Sequence, residues 1–86
     1  MPIPVPTWLK NRDGALKPGV QPHMLFVMVG GVPQYKVEAR PAAGAFSAAV
    51  QQSNNGHRLD DTKLTYPTAD AALAGGLEQL RGKLGW

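Results

Sequence analysis

The sequence predicts an α+β fold: an antiparallel three- to four-stranded meander sheet with one C-terminal helix packed on one face, in the order β-β-β(-β)-α. Three observations predict it. Residues 34–40 and 45–51 alternate with the period of a strand, Gly30-Gly31 and Asn54-Asn55-Gly56 supply hairpin turns, and residues 69–84 carry leucines at helical spacing. All the connections are short, so neighbouring strands are expected to pair in chain order.

At 86 residues the chain has interior enough for one core. Residues 1–22 read as an extended Pro-rich N-terminal arm and residues 23–86 as a single small α+β domain. In the arm, Pro2, Pro4 and Pro6 alternate with Ile3 and Val5, and each proline disfavours helix in the residue before it. Asn11-Arg12-Asp13-Gly14, Lys17-Pro18-Gly19 and Gln21-Pro22 then read as successive turns. Trp8 is expected to anchor the arm as a hydrophobic cover rather than to serve as a ligand-stacking platform.

His23 to Val29 is too short for a typical helix and rich in strand formers. Met24, Phe26 and Met28 share one face and Leu25, Val27 and Val29 the other, so both faces need a cover. The arm and a partner subunit are the two candidates. After the glycine pair, Tyr35, Val37 and Ala39 form an inward row, with Gln34, Lys36, Glu38 and Arg40 outward. Pro41 to Gly44 is a loop. Phe46, Ala48 and Val50 make the next inward row, and Ala45, Ser47, Ala49 and Gln51 a small, flat opposite row.

The Asn54-Asn55-Gly56 turn returns the chain through His57 to Leu59. Asp60-Asp61-Thr62-Lys63 interrupts as a bulge or loop, Leu64 to Tyr66 resumes the strand, and Pro67 ends it. Thr68 is placed to cap the helix, with Asp70 in its first turn. Leu73, Leu77, Leu80 and Leu84 form its apolar stripe, and Gly85 takes the left-handed position that lets Trp86 turn back toward Leu80. Gly75-Gly76 in mid-helix costs helix propensity, which close approach to the sheet would explain.

Composition narrows the function classes. Without cysteine, neither a disulfide framework nor a thiolate metal site supports the small core, and oligomerisation is the remaining common supplement. A homodimer in a reducing cytoplasm is therefore expected. The N-terminal residues do not read as a secretory signal, and the apolar run Met24 to Val32 is far shorter than a bilayer span. The net charge of +3 comes from dispersed basic residues rather than from a block.

No motif announces chemistry. His23 and His57 lack a second ligand at metal spacing, and adjacent Asp60 and Asp61 would point to opposite faces of a strand. Ser47 and Ser53 have no nucleophile-elbow context, and the glycine pairs match no phosphate-binding loop. No cofactor and no small-molecule substrate are expected.

Phe46-Ser47-Ala48-Ala49-Val50, Asn55-Gly56-His57-Arg58-Leu59 and Tyr66-Pro67-Thr68-Ala69-Asp70-Ala71-Ala72 together resemble the strand, hairpin, strand and capped-helix run of plant ethylene-response-factor DNA-binding domains. The arm-binding domains of tyrosine recombinases are similar, and the resemblance covers about residues 35–84. It implies a three-strand-plus-helix module that presents its exposed sheet face to DNA. In this chain Lys36, Arg40 and Arg58 are the residues placed for phosphates, while Ala45, Ser47 and Ala49 are too short to reach base edges.

The leading expectation is a small non-enzymatic interaction module that self-associates, with Trp8, Leu25, Val27, Val29, Ser47 and Ala49 as the partner or dimer surface. The alternative is a nucleic-acid-binding module that uses Lys36, Arg40 and Arg58. An enzyme or metal site around His57, Asp60 and Asp61 ranks third.

Overall fold

A four-stranded antiparallel sheet in the order β1-β2-β3-β4 carries one long helix on one face. The computed structural model describes residues 4–19, 23–53, 56–59 and 64–86. A helical turn, α1 (Thr7–Lys10), precedes β1 (Gly14–Pro18), β2 (Met24–Val29), β3 (Val32–Ala42) and β4 (Ala45–Gln52), and α2 (Ala69–Leu84) closes the fold. The predicted class and meander connectivity are both present.

Three of the strands lie where the sequence pattern predicts them, and the fourth comes from a different part of the chain. Residues 14–18, expected as turns in an arm, form β1 and pair with β2 from Gly14↔Val29 to Pro18↔Leu25. Turn residues belong at such an edge. Gly19 N–H donates to Met24 O at 2.9 Å, and bonded positions alternate, so the N–H that Pro18 lacks falls on the unpaired side. In the described part of the expected arm ahead of β1, Val5 and Trp8 pack against the core, and Leu9 is fully buried within it.

Residues 56–59 and 64–66, from the segment expected to supply a further strand, touch the far edge of β4 through two isolated bridges, Gln51↔Arg58 and Phe46↔Tyr66. The Phe46–Tyr66 pair exchanges both backbone hydrogen bonds, at 2.7 and 2.8 Å. Asn54, Asn55 and the 60–63 bulge lie outside the described residues, as do Pro2, Ile3 and the Gln21-Pro22 turn. The β2–β3 hairpin turns on Gly30 and Gly31, at φ 61° and 78°, where left-handed backbone favours glycine. The β3–β4 hairpin is tighter than the predicted loop, because β3 runs on to Ala42 and only Ala43 and Gly44 remain to turn.

The core fills the space between α2 and the inward rows of the sheet. Val27, Val37 and Val50 from the sheet and Leu80 from the helix are fully buried, with Leu73 and Leu77 beside them. Each such side chain stabilises the fold by about 1.5–3 kcal/mol. Gly76 explains how the helix comes so close: a Cβ there would lie 2.6 Å from Val37 Cγ1 and 3.0 Å from Ala48 Cβ. Gly75 seats the Tyr66 ring in the same way, and Gln79 Nε2 donates to Tyr66 Oη at 2.9 Å.

Both ends of α2 match expectation. Thr68 is extended, at φ −136°, and its Oγ1 accepts from Ala71 N–H at 3.1 Å; at the other end Gly85 is left-handed, at φ 71°. Trp86 donates its N–H to Arg81 O at 3.1 Å. Its ring packs against the core and meets Trp8 and Tyr35 at centroid distances of 6.0 and 6.4 Å, with Arg12 stacked 4.5 Å above it. The covering role expected of Trp8 is thus shared with Trp86, from the opposite end of the chain.

Candidate binding face

Strand register decides which side chains share a surface. Directly paired residues of an antiparallel sheet project from the same side. Leu25 pairs with Val37, and Val37 with Val50, so Leu25, Val27 and Val29 belong with the face that α2 covers. This corrects the predicted partner surface: Val27 is fully buried inside the monomer, and Leu25 and Val29 pack against its core. Alternation alone defines two sets of residues, and the helix takes one of them. Trp8 likewise belongs to the core side, against Trp86.

The face opposite α2 carries the other set. One row runs straight across it: Lys17↔Phe26, Phe26↔Lys36, Lys36↔Gln51 and finally Gln51↔Arg58. Four strand spacings make this row about 19 Å long. It holds three cations, one aromatic ring and one amide. Beside it lie Met24↔Glu38 and Glu38↔Ala49 on one flank, and Ala15↔Met28 on the other. Phe26, Met24 and Met28 are half-buried, and Lys17 is exposed.

An open groove of about 490 Å³ runs along the β1 side of this face, lined by Phe26, Met28, Pro18, Pro33 and Lys17 among others. The β4 side of the face carries the small residues Ala45, Ser47 and Ala49. Ala49, whose register partner is Glu38, is nonetheless only 3% exposed.

The three residues proposed from sequence for nucleic acid all lie on this face, in different states. Lys36 and Arg58 belong to the long row. Arg40, paired with Ser47 two rows from the long one and beyond Glu38, has its Nε 2.7 Å from Glu38 Oε1, so its charge is already partly engaged. Three residues of the row, Lys17, Phe26 and Gln51, were not candidates from sequence, Gln51 being read only as part of the flat outward row. Lys17 was hidden because its segment reads as a turn, and Phe26 because either face of its strand could have been the covered one.

Of the third set of candidates, His57, Asp60 and Asp61, only His57 lies among the described residues. His23 sits just ahead of β2 with φ 59°, and His57 lies at the opposite edge, where its backbone oxygen accepts from Gln52 N–H. Among the described residues no group of three His, Cys, Asp or Glu could hold a metal ion, and no helix is long and apolar enough to cross a membrane.

Comparison with protein-family models, curated proteins and solved structures finds no match to this chain.

Proposed function

We propose that this protein is a small binding module that docks an anionic macromolecule on the sheet face opposite α2. One observation carries the reading. The half-buried apolar side chains Met24, Phe26 and Met28 share that face with Lys17, Lys36, Arg40 and Arg58, against which Glu38 is the only carboxylate at the described register positions. Apolar surface with a cationic surround favours a partner that brings both contact area and negative charge.

Self-association, expected from the small core, fits this face less well. Two copies stacked through it would set the same cations against each other, which costs affinity rather than adding it. At the β1 edge, Pro18 lacks one donor that an added strand would need.

The test is methyl NMR at low salt with inorganic polyphosphate as the probe. The methyls of Met24 and Met28 should shift, while those of Leu73, Leu77 and Leu80 under the helix stay in place. Shifts confined to the helix side, or none at all, would remove the reading. Light scattering over a concentration series should give a monomer; a mass that rises with concentration and falls back in Phe26→Asp would assign the face to self-association instead.

A further inference from the structure

The row across the open face distinguishes between kinds of polyanion, and we infer that its preferred occupant is a single-stranded nucleic acid, with a base stacked on Phe26 and phosphates held by Lys17 and Lys36. This rests on the anionic-partner reading above and narrows it.

The argument starts from what Phe26 adds to the charges. Its register partners on both sides are lysines, one on β1 and one on β3, so an aromatic ring stands between two cations about 10 Å apart. A single strand offers flat base faces on a charged backbone, and sites for it combine cations that track the phosphates with aromatic rings that take the bases. A duplex keeps its base faces stacked inside, and a polyphosphate or acidic peptide satisfies the lysines while leaving Phe26 without a matching surface.

The surroundings fit the same ligand. The groove beside Phe26 has Met28, Pro18 and Pro33 in its lining and Lys17 with them, a largely apolar recess next to a charge. On the other side Ala49, Ser47 and Ala45 keep the surface low, so an extended strand can lie across it toward Gln51 and Arg58. Gln51 brings an amide that both donates and accepts, able to meet any base edge without strong preference. Stacking with few base-edge contacts implies weak sequence preference. That also accounts for a reading surface without the long side chains that major-groove recognition needs.

Fluorescence anisotropy with labelled oligothymidylate of about twelve nucleotides, and with a duplex of equal length, tests the inference. The single strand should bind more tightly. For the two lysines, log K should fall with log salt at a slope of about −1.4, and Lys17→Gln/Lys36→Gln should remove most of that dependence. Phe26→Ala should weaken binding about 5- to 150-fold at constant salt slope. Phe26→Trp guards against a folding artefact: it should bind, and its added emission should be quenched by the oligonucleotide. Wild-type emission, from Trp8 and Trp86 on the helix side, should not change. If duplex and polyphosphate bind as well as the single strand and Phe26→Ala is neutral, the inference fails while the anionic-partner reading stands. If no polyanion binds at low salt, both fail.

Discussion

The two faces of the sheet are built from the same strands, often from adjacent residues, and they differ in what length of side chain does. On the helix side, Val27, Val37 and Val50 meet Leu73, Leu77 and Leu80 across a gap that Gly76 narrows until a single methyl would not fit. On the open side, Phe26 and Lys36, each next in sequence to one of those valines, pair with one another and close against no helix. Substitutions on the first face should therefore act on stability. On the second they should act on binding.

The sharpest way to break this contrast is to truncate one residue on each side. Leu80→Ala should lower stability by about 2–5 kcal/mol, because it leaves a cavity in a fully buried position. Phe26→Ala, on the open face, should cost about 1 kcal/mol or less. Urea denaturation of both variants checks the order, and equal losses would mean that the open face is a second core.

A smaller and more pointed comparison lies within α2. Gly76→Ala gains about 1 kcal/mol of helix propensity but forces a methyl against Val37 and Ala48, and overpacking of that kind costs about 1–3 kcal/mol. Gly82 on the same helix has open space where its Cβ would be, so Gly82→Ala should stabilise by up to about 1 kcal/mol. Thermal melts should therefore move in opposite directions. A stabilising Gly76→Ala would show that the helix does not approach the sheet as described.

The smallest expected effect is a control that belongs to neither face. Ala43 turns the β3–β4 hairpin at φ 48°, a left-handed conformation that costs a non-glycine residue about 1–2 kcal/mol. Ala43→Gly should relieve that cost, less the glycine's greater entropy in the unfolded chain, for a net gain of roughly 0.5 kcal/mol. Its oligonucleotide affinity should match wild type. A change in affinity would mean that the hairpin takes part in binding.

Much of this organisation is legible residue by residue. The cap at Thr68, the left-handed Gly85, the leucine stripe and the Gly30-Gly31 hairpin are local decisions, governed by backbone sterics and by hydrogen bonds three or four residues away. The inward rows at Tyr35 to Ala39 and Phe46 to Val50 follow from alternation in the same way. Lys17 was not legible, because Gly14, Pro18 and Gly19 around it carry turn chemistry that an edge strand also tolerates. A stretch such as Ala15-Leu16-Lys17 becomes a strand only when β2 supplies its hydrogen bonds. The return at 56–59 erred in the opposite direction, since its apparent strand keeps only the Gln51↔Arg58 bridge to β4.

Periodicity sorts the residues of β2 into two sets, Met24 with Phe26 and Met28, and Leu25 with Val27 and Val29, and it does so with no knowledge of the fold. Which set becomes core is settled by long-range geometry: the pairing of β2 with β3, and the side of the sheet on which α2 comes to rest. Both sets are apolar, so burial energy along the strand cannot choose between them. Only the helix, by covering one set, leaves Phe26 and its two lysines facing outward.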